Sequence, residues 1–187
     1  MALIVVISVT DSLSIVAPNV RAGGVNRFDL GLILAFGPGF VWIAILESGE
    51  FSIMTVAFRL KTLLVLEFLM TLGIPWCIFS VAAILENDLA KPVIRNLIFS
   101  LSVSIILCEI APRWVRISVP SAYLIATMTG GISFPGRVPD WWAFVMDSSI
   151  RDSHMCFVSI VSLASLALRL LYDSGVLRTT TRRNGVL

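Results

Sequence analysis

The stretch from Thr62 to Leu85, TLLVLEFLMTLGIPWCIFSVAAIL, runs for 24 residues and carries one formally charged side chain, Glu67. As a helix it extends about 36 Å, enough to cross a hydrocarbon core of roughly 30 Å with some tilt. Composition points the same way. Hydrophobic residues make up 57% of the chain and charged residues 14%, against about 45–50% and about 25% in ordinary soluble domains. A soluble fold of this size buries only about 70% of its unfolded surface, so much of that apolar excess would face water and aggregate. The chain therefore reads as all-α, a polytopic transmembrane helical bundle of about five to six spans over residues 1–172, at least two of them kinked. Residues 173–187 follow as a basic tail expected to be mobile.

Five further segments fill out that bundle. Residues 2–17 read either as a signal peptide without a basic start or as a retained first helix carrying Asp11 near its middle; the retained helix is favoured. A polar loop from Pro18 to Asp29 precedes a second span, Leu30 to Leu46, in which Gly37, Pro38 and Gly39 predict a kink or break. Gly73 and Pro75 repeat that device in the run from Thr62 to Leu85. The fourth span, Val93 to Ala111, is short, so Arg95 and Glu109 at its ends are expected to snorkel. Ser100 and Ser104 form a small-xxx-small pair along it, open to close helix approach. Glu109 stands four residues before Arg113, but Pro112 interrupts the helix that would join them.

The fifth span, Ile117 to Phe134, is diluted by Pro120, Gly130, Gly131 and several hydroxyl residues, and a re-entrant segment is its alternative. A last helix from Asp140 to Tyr172, capped by Asp140, begins at the interface with Trp141, Trp142 and an Asp147–Arg151 pair. Ser159, Ser162 and Ser165 lie along its apolar half as a packing stripe. If every span crosses, one side holds eight Lys or Arg, among them Arg113, Arg116 and Arg169, and the other side six. That bias favours both termini on the cytoplasmic or matrix-like side. Which membrane holds the chain is open.

Chemistry is sparse. Glu67 and Asp11 are the candidate intramembrane polar sites, since carboxylates within spans serve ion or proton pathways; for both, a structural polar contact is the stronger reading. His154 is the only histidine, which rules out bis-histidine haem within the chain and reads as a satisfied interfacial side chain. Cys77, Cys108 and Cys156 have no metal-ligand spacing and read as buried free thiols. No nucleophile elbow, Walker loop or dinucleotide fingerprint occurs, and a net charge of +2 with scattered basic residues excludes nucleic acid. No catalytic residue, cofactor or metal is expected. The partners expected are the lipid bilayer and other membrane subunits or a second copy. The function expected is that of a non-catalytic subunit or assembly element of a membrane complex, with a small-solute or ion transporter as the alternative and an intramembrane enzyme behind both.

Overall fold

A computed structural model describes residues 14–18, 25–47, 72–85, 90–133, 138–149 and 151–173. The chain is mostly helical. β1 (Ser14–Pro18) pairs antiparallel with β2 (Val25–Asp29) and leads into α1 (Leu30–Leu34) and α2 (Gly37–Glu47). α3 (Ile74–Ile84), α4 (Ala90–Ile110) and α5 (Arg113–Gly130) follow, then the two-residue strands β3 (Ile132–Ser133) and β4 (Val138–Pro139). A 3-10 helix (Trp141–Met146) precedes α6 (Asp152–Asp173).

The breaks fall where backbone chemistry requires them. α1 stops at a turn over Ala35 and Phe36, and α2 restarts at Gly37 with Pro38 in its first turn, where a missing N–H costs nothing. Pro75 holds the same place in α3. α4 ends at Ile110 because Pro112 is extended, with φ −65° and ψ 157°, and α5 begins immediately after it. The guanidinium of Arg116 donates from Nε to the Ala111 carbonyl at 2.9 Å, so the chain reversal is pinned by the basic cluster itself, while Trp114 projects outward.

α4 is the axis of the bundle, and contacts along it set the direction of its neighbours. Ser102 meets Ser162 at 3.1 Å, and Glu109 pairs with Arg169; both pairs are separated by 60 positions, so α4 and α6 run parallel. Asn96 reaches the Leu32 carbonyl and Ser100 the Ala35 carbonyl, at separations of 64 and 65, so α1 and α2 run parallel to α4 as well. Trp76 Nε1 donates to Ser162 at 3.3 Å, level with Ser102, while the far end of α3 leads round to Ala90; α3 is therefore antiparallel to α4. α5 returns beside α4 as a helical hairpin. Arg113 and Arg116, at the turn from α4 to α5, and Arg169, paired with Glu109, stand at the same end of α4.

Small residues let these helices approach. A Cβ on Gly39 would stand 2.8 Å from Ser104 Oγ and 3.0 Å from the Ser100 carbonyl. The serine pair on α4 thus meets a glycine of α2, as the spacing of Ser100 and Ser104 predicts. Ser162 and Ser165 of the α6 stripe are buried. The core gathers Ile94, Ile98, Leu101 and Ile105 of α4 with Phe144 and Val158.

Several expectations change. Among the described residues, only Ala90–Ile110 and Asp152–Leu171 are long and apolar enough to cross a membrane, with mean hydropathy 1.9 and 1.8. The second expected span is shortened by its break, and α5 is diluted as foreseen. Ser14 to Ala17, expected at the end of a first helix, are instead strand β1. The continuous helix from Asp140 to Tyr172 is two pieces, separated around Asp147 and Ser149. Cys77, Cys108 and Cys156 are free thiols, yet Cys77 and Cys156 are exposed on the chain's own surface and Cys108 is only half-buried.

Candidate functional site

Arg95 enters the bundle instead of leaving it. It lies in the second turn of α4, and its side chain is wholly buried, with 0% exposure. Taking a guanidinium out of water is costly unless every donor finds an acceptor. Here Nη1 donates to the Ser149 carbonyl at 3.0 Å. Nη2 divides its protons among the carbonyls of Phe144 and Asp147, each at 2.8 Å, and Asn96 Oδ1 at 3.1 Å. Nε donates to the same Asn96 oxygen at 3.2 Å, and the guanidinium carbon stands 5.6 Å from the centre of the Phe144 ring. Snorkelling, expected from the position of Arg95 near a helix end, does not occur because a nearer set of oxygens satisfies the charge inside.

Asn96 completes the set. Its amide donates to the Val145 carbonyl at 2.6 Å and to the Leu32 carbonyl at 3.3 Å, while its oxygen accepts from Arg95. Tyr123 of α5 adds a 2.7 Å bond to the Trp142 carbonyl. Side chains of α4 and α5 thus take the carbonyls of residues 142, 144, 145, 147 and 149. In an α-helix these oxygens accept from amides four residues onward. That competition accounts for the 3-10 turn and for the break before α6. Asp147 supports it: Oδ1 accepts from the amide and hydroxyl of Ser149 at 2.8 and 2.7 Å, an Asx turn, and Oδ2 faces Arg151 Nε at 3.4 Å. The Asp147–Arg151 pair read from the sequence forms, but across a turn.

Phe99 of α4 lies one turn above this network and gathers rings from three directions. It meets Phe36 edge-on at 6.4 Å, Tyr123 at 6.0 Å, Phe144 at 5.0 Å and Phe157 at 6.0 Å. Two cavities flank it. One of about 200 Å³ lies between α2, α4 and α5, walled by Phe36, Phe40, Val103, Val119 and Pro120. The other, about 420 Å³, opens beside the 3-10 helix and the start of α6, among Trp141, Trp142, Phe144, Phe157, Arg151 and His154. Phe99 and Tyr123 line both. His154 packs against Phe144 with ring centres 5.5 Å apart, and its Nδ1 is buried without a hydrogen-bond partner. The expected satisfied histidine is therefore incompletely satisfied.

Glu67 and Asp11 lie outside the described residues. Among the described residues no cluster of three or more His, Cys, Asp or Glu is placed to hold a metal ion. The arrangement around Arg95 fixes backbone and encloses apolar space. Its signal in the sequence is the seven-residue spacing of Arg95, Ser102 and Glu109, which puts three polar side chains on one stripe of α4. All three are buried against the rest of the bundle, the Glu109 side chain being 5% exposed. No protein-family model, no curated protein and no solved structure matches this chain.

Proposed function

We propose that the chain is a multi-pass integral membrane protein that serves as a non-catalytic subunit or assembly element of a larger membrane complex. The observation that carries this reading is the inversion of α6. Its inner face presents Ser162, Ser165 and Arg169 to the bundle, while Phe157, Ile160, Leu163, Leu170 and Leu171 stand exposed on the outside. Oil outside and polar groups within suit a helix surrounded by lipid or by other apolar helices. The alternation of direction from α3 to α6 is what successive crossings require.

The pairing of polar groups favours assembly over transport. A broken helix can coordinate an ion through freed carbonyls, but those of Leu32 and Ala35 at the α1–α2 break are taken by Asn96 and Ser100. Arg95 and Glu109 are likewise engaged inside the bundle. Fractionation and sizing test the proposal. The chain should stay with membranes through alkaline extraction and migrate in mild detergent well above the size expected for a 20.4 kDa monomer. A stable monodisperse monomer overturns the subunit role, and release at alkaline pH overturns the membrane one.

A further inference from the structure

We infer that the two cavities beside Phe99 form a binding site for a single-chain anionic amphiphile, of the chemistry of a fatty-acid carboxylate. Its tail occupies the cavity between α2, α4 and α5, and its head group lies at Arg151 and His154. Polarity changes from one cavity to the other. The smaller space is walled mainly by rings and aliphatic side chains, with Ser100 and Ser104 among them, and the wider one carries Arg151, Ser153 and His154 at the start of α6. Phe99 and Tyr123 form the wall that the two cavities share, and the Tyr123 hydroxyl is already committed to the Trp142 carbonyl, so that wall presents ring surface. A volume of about 420 Å³ lies in the usual range for organic ligands, about 300–1,000 Å³.

Charge selects the head group. Among the described residues, Arg151 is the one formally charged residue in either lining. Behind the Phe144 ring stands Arg95, whose hydrogen bonds go to neutral carbonyl and amide oxygens. The carboxylate placed among them is that of Asp147, with one oxygen held by Ser149 and the other facing Arg151; Asp152 is exposed and outside the lining. Among the described residues two guanidinium groups thus share one buried carboxylate, and an incoming anion balances the second. His154 lines the same cavity beside Arg151 and Ser153, so its ring borders the polar end.

The full chain in phosphatidylcholine nanodiscs, titrated with cis-parinaric acid and with the corresponding uncharged alcohol, tests this by polyene fluorescence. Saturable binding of the acid, about tenfold or more tighter than the alcohol, is expected from a charge-assisted contact. Arg151→Gln should remove that preference, weakening the acid more than the alcohol. Val119→Trp, filling the narrower cavity from a half-exposed position, should weaken both. Excess oleate should displace the probe. Equal affinity for acid and alcohol, binding that never saturates, or displacement by phosphatidylglycerol but not by oleate overturns the inference. The acid and alcohol comparison uses the unaltered chain, so it stands even if a variant fails to fold, and it does not depend on whether the bundle has partner subunits.

Discussion

α4 and α6 are near twins by composition and opposites by position. Their apolar windows have mean hydropathy 1.9 and 1.8, yet 56% of the first is buried within the chain and 17% of the second. Hydrophobicity does not choose the central helix when every helix is hydrophobic. The choice falls to the polar residues, because a guanidinium or amide taken out of water must find oxygens. α4 carries Arg95 and Asn96, whose acceptors come from α1 and from the stretch around the 3-10 helix. α6 carries small hydroxyls, which ask for one neighbour.

This contrast is most exposed to Arg95→Leu. Loss of the cation takes a donor from the Asp147 and Ser149 carbonyls and leaves Phe144 with the Asp147 amide, and a destabilisation of about 3–5 kcal/mol is expected for breaking a buried charged network. Thermal unfolding in detergent, followed by circular dichroism, should show it as a large fall in midpoint; an unchanged midpoint would mean that α4 is central for reasons of packing alone. Gly39→Val comes next. Its side chain would meet Ser104 and the Ser100 backbone, and overpacking of this kind costs about 1–3 kcal/mol. Ser102→Ala removes the hydrogen bond to Ser162, and about 0.6 kcal/mol is expected from the average for such bonds between membrane helices. A cost above 2 kcal/mol would show that α6 needs α4 as much as α4 needs its own partners. Leu163→Ser, on the outer face of α6, should change intrinsic stability by under about 0.5 kcal/mol. If that face meets another subunit, the same substitution should shift the complex toward smaller species on a native gel.

What the sequence discloses is local. The break before Gly37, the stop at Pro112, the close approach at Ser100 and Ser104, and the Asp147–Arg151 pair each depend on a few neighbouring residues and can be read from them. The role of Arg95 cannot. Its partners are mainly main-chain carbonyls about fifty positions away, and a carbonyl leaves no mark in a sequence. For the same reason Asp140 to Tyr172 reads as one helix: nothing within it shows that its oxygens are claimed from outside. Glu67 and Asp11 invite attention because they place a charge in apolar runs, whereas the residues that organise the described bundle include Asn96 and Phe99, which carry none.

The Arg95 network also imposes an order on biosynthesis. The acceptor at Ser149 lies 54 residues downstream of the arginine, and at translation rates of about 5–20 residues per second it is made roughly 3–11 s later. During that interval α4 is made with its charge unmet and, under the membrane role proposed above, cannot settle at its final depth. Under that role a chain truncated before residue 144 should be retained by a translocon or a membrane chaperone, and one that includes residue 149 released. The centre of the bundle is therefore the part that must wait longest to become stable.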